Sequence, residues 1–400
     1  MSERLEKKPS EGLPEIARPE ETYKTSDPRP HFVEMDGLRG LGILSITMSH
    51  LAWWWWLTTG IGLSLPFFRV ELVDPLNFFG YFQLSLFFLL SGYLLTWTEE
   101  KRKRRGAYSV LNYVKRRALR LVPAYYVAMV VVMLVWPLIA QGTIGEEIIL
   151  KRTDFSFGTV VLHLAFLQGF KPSHPLGLDP VYWSLTTEIA FYAMLPLLVV
   201  KVRKLWERTT ILGVLLLVSL ITRVSMGSVG KPLGIDQLQQ FPTTLLYLCL
   251  VGMLLRMMVE GRAETGYQPG RRQLFIASAL TVVPAVLLSV LVLLIFPYLG
   301  MDYGHVLRSP AALIVEGMAI LVFGSVLLGS PILKPILKLR PLVFLGEISY
   351  SLFLLHNTVL FTTDSYLRRI VRTWLPDQGE LTVGATFGAF ALVVVAVSVT

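Results

Sequence analysis

The chain has 400 residues, of which 53% are hydrophobic and only 16% charged, and its mean hydropathy is +0.57. A soluble domain of this size needs far more charge to cover its surface, so the apolar excess must face lipid. The formal charge of +9 would suggest nucleic acid in a soluble protein; here its distribution along the chain gives it a different meaning, and no nucleic-acid partner is inferred. A single cysteine, Cys249, lies inside an apolar run, which leaves no intrachain disulfide framework and no thiolate metal site.

Residues 1–35 are polar and rich in Glu, Lys and Pro. They read as a disordered cytoplasmic tail, and they lack the apolar core of a signal peptide. Residues 36–400 then form one membrane domain. Its apolar segments are 38–58, 76–98, 119–141, 181–202, 208–226, 240–260, 272–297, 308–329, 342–362 and 382–400. Each is near the ~20 residues with which a helix crosses ~30 Å of hydrocarbon. Lipid offers a backbone no partners, so the spans must be helices. The predicted fold is all-α: a polytopic membrane protein with about ten transmembrane helices and both termini cytoplasmic. The stretch Phe155–Phe170, with His163 inside it, is shorter and reads as an interfacial or re-entrant helix.

Orientation follows from the basic residues. With a cytoplasmic N-terminus, 27 of the 37 Lys and Arg fall inside and 10 outside, as the positive-inside rule requires. The densest run, Lys101–Arg105, lies in an inside loop suited to anionic lipid heads. Trp53–Trp56 fall at the outer end of the first span, where indoles anchor at the interface. Nothing polar or basic follows the tenth span, so either a short tail continues the chain or that span is less firmly anchored than the rest. The expected location is the plasma (inner) membrane.

A charge or imidazole in hydrocarbon costs at least ~2–3 kcal/mol, so each one is a functional candidate. His50 stands in the first span, eleven residues after Arg39. Eleven residues are three turns, which puts both on nearly one helix face, ~16 Å apart along the axis. Asp36 precedes Arg39 by one turn and can pair with it. Arg116 and Arg120, four residues apart at the start of the third span, can form a clamp for phosphates, or can be ordinary basic flanks. Glu188 in the fourth span and His356 in the ninth fall at depths comparable with His50, although depth does not bring helices into contact. Glu316 in the eighth span is a further buried carboxylate without an evident partner.

These segments resemble the acyltransferase-3 family of membrane acyltransferases. Met35–Gly42 through His50 is similar to the family's first span, with its Arg-to-His spacing of eleven. Phe87–Leu95, which contains Ser91, is similar to the second-span pattern, and Arg116–Arg120 before Pro123–Tyr126 to the paired-arginine motif. Tyr182–Tyr192, with Trp183, Ser184 and Glu188, resembles the fourth-span segment. Leu345–His356, with Tyr350 and Ser351, resembles the late span, and Phe353 stands where many members have Tyr. The resemblance implies an acyl-CoA donor (acetyl-CoA above all) bound from the cytoplasm, and a hydroxyl acceptor on a glycan, glycolipid or similar molecule. It implies that His50 and Arg39 are needed for activity and that the pair Arg116 and Arg120 serves the acyl-CoA. Asp36 and Glu188 are placed with the catalytic pair on pairing and depth, and Arg117 and Ser91 are assigned to the acyl-CoA site beside the arginine pair. Trp183, Ser184, Tyr350, Ser351 and His356 are then substrate-binding or structural polar groups. No metal is implied. Some members add an extracytoplasmic hydrolase-like domain; these 400 residues leave no room for one, and a second transfer step is expected to need a separate partner.

The residue types suit that chemistry. A neutral imidazole at position 50 can deprotonate a hydroxyl or hold an acyl group transiently. Glu188 can orient that imidazole or hold the acceptor, and Arg39 can neutralise donor phosphates or a developing oxyanion. The alternatives are a transporter or flippase for a lipid-linked or small-molecule substrate, or the other large family of membrane acyltransferases, in which a late histidine, here His356, would be the essential one.

Overall fold

The computed structural model describes residues 33–59, 64–65, 70–71, 73–139, 153–170, 177–200, 204–225, 242–259, 269–301, 306 and 309–374. The helices are α1 (Val33–Thr59), α2 (Val73–Arg104), α3 (Val110–Ile139), α4 (Phe157–Leu164), α5 (Trp183–Val200), α6 (Leu205–Ser225) and α7 (Leu246–Met258). They continue as α8 (Arg271–Tyr298), α9 (Ala312–Leu327), α10 (Leu333–Leu337), α11 (Arg340–Glu347) and α12 (Ser349–Trp374). The strands described are a two-residue ladder, Ser64–Leu65 antiparallel to Val70–Glu71. The chain is an all-helical, multi-pass membrane protein.

Nine of the ten expected apolar segments are helical here, and the tenth, 382–400, lies outside the described residues. Among the described residues only four or five helices are long and apolar enough to cross a membrane, so the expected count of about ten is not reached. By length and composition, α2, α3, α5 and α8 can each cross a membrane, and the pair α11–α12 makes a fifth span or a re-entrant loop. The helices α7 and α9 are apolar but shorter. The expected ninth span is not one straight helix: α11 and α12 meet at Ile348 with a bend of 83°. The tail expected up to residue 35 gives way to α1 at Val33, where Glu34 and Asp36 occupy the first turn and favour the positive end of the helix dipole. Residues 1–32, the loops bearing Arg69, Lys151, Arg152, Lys171 and Lys231, and Arg308 lie outside the described residues.

Burial sorts the helices into centre and rim. Of the most apolar stretch of α2, 72% is buried, against 28% in α3 and α8. The rim helices turn large apolar side chains outward, such as Leu119, Val127 and Leu134 of α3 and Phe275, Val286 and Leu294 of α8. In a membrane these are the lipid-facing surfaces. The proline-bearing helix α8 widens to one π-helical turn over Leu291–Ile295 just before Pro297, which relieves the clash of the ring with the preceding turn.

Two close crossings hold the centre together. A Cβ on Gly92 of α2 would sit 1.9 Å from the Cys249 carbonyl oxygen of α7, and one on Gly252 would sit 2.0 Å from the Leu89 oxygen. At the second crossing a Cβ on Gly40 of α1 would meet the Leu342 oxygen of α11 at 1.8 Å, and one on Gly346 the Asp36 oxygen at 1.9 Å. Backbones this near need glycine, the usual device for packing helices in lipid. Glu316 also finds its partners here: the hydroxyls of Tyr81 (α2) and Tyr247 (α7) both donate to its fully buried carboxyl group, tying α2, α7 and α9.

A Gly92→Leu substitution drives a side chain into the backbone of α7, an overpacking that costs about 1–3 kcal/mol or more. We expect a clear fall in the thermal unfolding midpoint in detergent, with α2 displaced from α7. An unchanged midpoint would mean that the two helices are not in contact at Gly92.

Candidate active site

The first polar cluster joins α1 to α12. His50 Nδ1 lies 2.8 Å from His356 Nε2, and the two ring planes are within 8° of one another. The second nitrogen of His356, Nδ1, lies 2.8 Å from the Phe353 carbonyl oxygen one turn earlier. His356 is fully buried and His50 half-buried. Equal depth could not show that the first and ninth spans touch; the bend at Ile348 brings them together, because it turns α12 alongside α1 while α11 packs across its start. Phe353, at the position where the family often has Tyr, contributes its carbonyl here, and its ring stands 5.8 Å from that of His356.

One loop holds His356 from both sides. The Tyr182 hydroxyl donates to the Leu354 carbonyl (3.0 Å) and Asn357 Nδ2 donates to Asp179 Oδ1 (3.0 Å). The loop is itself pinned by His163 of α4, whose Nε2 accepts from the Leu178 amide at 3.1 Å and whose Nδ1 therefore carries the proton toward the Tyr125 hydroxyl, 2.8 Å away. Gly177 makes the approach possible: its φ is +102°, and a Cβ would lie 2.3 Å from the His163 ring nitrogen. His163 is thus a satisfied core histidine. Asp179 is fully buried at the mouth of α5. Burial pushes its carboxyl group up to about 6, against the opposing hydrogen bonds from the Val181 amide and Asn357.

The second cluster gathers charge. Arg39 Nη1 pairs with Asp36 Oδ1 at 2.9 Å, and Arg39 lies within electrostatic reach of Arg120 and Tyr192. Tyr192 of α5 donates its hydroxyl to Glu188. The fields of Glu188 and Arg120 both reach Tyr350, whose hydroxyl donates to the Leu121 carbonyl (3.0 Å). Glu188 thus bonds Tyr192, while the His50 imidazole is bonded to His356.

The paired arginines of α3 divide. Arg116 Nη2 binds Glu99 Oε2 at 2.9 Å, and the same fully buried carboxylate takes Arg102 at 2.7 Å and Arg117 at 3.7 Å. Arg117 also lies near the rings of Tyr113 and Tyr192. Arg120 is exposed and has no carboxylate partner among the described residues. Ser91 is half-buried on α2 beside the Gly92 crossing. Ser184 is buried and donates to the Val181 carbonyl at 3.2 Å, which fixes the start of α5. Trp183 is half-buried, with its carbonyl against Gly169. Ser351 is exposed on α12, away from the buried face that carries His356. Trp53 packs on the core around Tyr125 and Tyr182, while the side chains of Trp54–Trp56 lie outside the described residues.

A family profile described as "Acyltransferase domain" matches residues 32–400. The chain belongs to the acyltransferase-3 family. It is 24% identical over 338 residues to O-acetyltransferase OatA of Staphylococcus aureus, covering 83% of this chain and 51% of that one. Peptidoglycan O-acetyltransferase OatA of Listeria monocytogenes is 22% identical over 354 residues (85% and 51%). Putative peptidoglycan O-acetyltransferase YrhL of Bacillus subtilis is 25% identical over 341 residues (82% and 48%). The chain spans about half the length of these relatives. No solved structure matches it.

Three residues of this acyltransferase-3 domain escape a search for charge within spans. Asp179 sits just outside the fourth span, and Glu99 ends the second span next to a basic run that masks it. Tyr192 reads as an ordinary core aromatic, although its place four residues after Glu188 is one helical turn and signals the pair. Asp179 yields a test. Its folded carboxyl keeps the proton up to about 6, whereas the unfolded group releases it near the ordinary 3.8. The folded state therefore binds more protons between these values, and stability falls as pH rises from about 4 to 6. Asp179→Asn keeps an acceptor for Val181 and Asn357 and should flatten the slope of unfolding midpoint against pH across that window. A slope equal to that of the parent chain would show that Asp179 does not carry this titration.

Proposed function

We propose that the chain is an integral membrane O-acetyltransferase that moves an acetyl group from cytoplasmic acyl-CoA to a hydroxyl of a cell-wall glycan. The reading rests chiefly on one observation, the hydrogen-bonded imidazole of His50 three helical turns from Arg39 on the same helix face. The donor's dimensions support it. From the phosphate oxygen to the thioester sulfur the pantetheine arm runs through twelve bonds, as many as four peptide residues, or ~14 Å when extended. The axial rise from Arg39 to His50 is ~16 Å. A diphosphate held at Arg39 and Arg120 thus delivers the thioester to His50. The same distance favours Arg39 at the phosphates over the oxyanion at the reacting carbon.

In this mechanism the His50 imidazole takes the proton of the acceptor hydroxyl as its oxygen bonds to the thioester carbonyl carbon. The C–S bond then breaks, and the CoA thiolate leaves with the proton returned by the imidazolium. Of the α3 arginines, Arg120 faces the donor, while Arg116 and Arg117 keep Glu99 neutralised and the start of α3 in place. Peptidoglycan is the favoured acceptor because two of the relatives carry it in their names. The N-terminus lies in the cytoplasm and the domain in the plasma membrane, in keeping with the 27 to 10 division of basic residues.

Release of CoA from acetyl-CoA, with an N-acetylmuramyl oligomer as acceptor and purified protein in liposomes, tests the proposal. His50→Ala should lower kcat by about 10²–10⁴-fold and leave the acetyl-CoA KM nearly unchanged. Arg120→Ala should raise that KM about tenfold, the loss of one charged hydrogen bond, and Arg116→Ala should raise it less while lowering stability. Undiminished CoA release by His50→Ala would end the assignment, and oligomer movement across the bilayer with no CoA released would favour a carrier.

A further inference from the structure

The hydrogen bonds around the two histidines fix where their protons sit. A carbonyl oxygen only accepts, so the 2.8 Å contact to Phe353 places a proton on His356 Nδ1. A neutral His356 then has a bare lone pair on Nε2. That lone pair faces His50 Nδ1 at 2.8 Å, so His50 must be the donor. It follows that His50 carries its proton on Nδ1, and its own Nε2, for which the described residues supply no partner, holds the lone pair. Free imidazole side chains favour the opposite tautomer, with the proton on Nε2.

We propose that His356 is a positioning residue that sets the tautomer and ring orientation of His50, so that His50 Nε2 is the basic nitrogen offered to the acceptor hydroxyl. The arrangement has the logic of a base held by a third group through its far nitrogen, with a neutral imidazole in place of the usual carboxylate. The choice suits the setting. A carboxylate buried here would carry a full desolvation penalty, whereas His356 is satisfied at both nitrogens by one carbonyl and one imidazole. The loop that grips α12 at Leu354 and Asn357 keeps this short chain of bonds in register. The catalytic part of the inference rests on the acyl-transfer reading, but the tautomer stands on geometry alone.

The closing experiment therefore has two arms. Solid-state 15N NMR of histidine-labelled protein in lipid distinguishes protonated from bare ring nitrogens at each of the six histidines, with His50 assigned from the spectrum of His50→Gln. The expected result is a protonated Nδ1 and a bare Nε2 at His50 in the unmodified chain. A bare Nδ1 with a protonated Nε2 would overturn the proposal whatever the enzyme does. In the kinetic arm, His356→Gln retains an acceptor oxygen near the position of the lost Nε2, and His356→Leu removes it. The Gln variant should keep kcat within about tenfold, and the Leu variant should lose about 10²–10³-fold with the acetyl-CoA KM unchanged. Equal losses in both, with the expected NMR pattern, would show that His356 packs the site without tuning His50. No CoA release by any form, with that pattern present, would sink the acyl-transfer reading and leave the tautomer intact.

Discussion

The backbone of α1 rests directly on that of α11, and most of the site follows from that contact. Glycines at positions 40 and 346 bring the two chains so close that no side chain fits between them. With α11 lying across the start of α1, the 83° turn at Ile348 sends α12 along it. Tyr350 then reaches the carbonyl of Leu121 in α3, and His356 meets His50. A bulkier residue at either glycine would move the elbow, and with it every polar contact farther along α12. The family's opening motif therefore has two jobs. In the proposed mechanism its arginine and histidine carry the chemistry, and its glycines set how closely α1 and α11 approach.

Polar groups in this protein are arranged so that few of them face hydrocarbon alone. Glu316 holds two tyrosine hydroxyls, Glu99 holds three guanidiniums, and His163 is bonded at both ring nitrogens. Each arrangement offsets a desolvation cost that lipid would otherwise impose in full. Against this background Arg120 stands out, because it is exposed while its neighbours Arg116 and Arg117 are taken up by Glu99. The same logic separates His163 from His50: one imidazole is bonded at both nitrogens, and the other has a nitrogen with no protein partner among the described residues.

The sequence carried the helices and the spacing from Arg39 to His50 plainly, since both follow from periodicity along one segment. It did not carry the meeting of His50 with His356, because residues 342–362 read as one continuous apolar run and nothing but Gly346 and Ser349 marks the elbow. The Glu99 hub was hidden for a related reason. Arg116 is seventeen residues away across a helical hairpin. A spacing rule of three or four residues finds only Arg102 and Lys103, the second of which bonds the Val199 carbonyl instead. Asp179 was missed because it lies one turn outside a span, where an acidic residue needs no explanation until its burial is known. The tyrosines that serve Glu316 and Glu188 look like core aromatics, and only their hydroxyl partners distinguish them.

The length of α2 has a consequence of its own. Its 32 residues rise ~48 Å, well beyond the ~30 Å of hydrocarbon. Its basic end, with Glu99 and the arginines gathered on it, therefore stands at the height of the lipid head groups, within a Debye length of ~8 Å of their charge and of dissolved ions. The histidine pair, enclosed by helices, lies out of that ionic atmosphere. Bilayer composition and ionic strength can thus act on the charged end of α2, with the Glu99 ion pairs, while leaving the enclosed histidine pair unaltered.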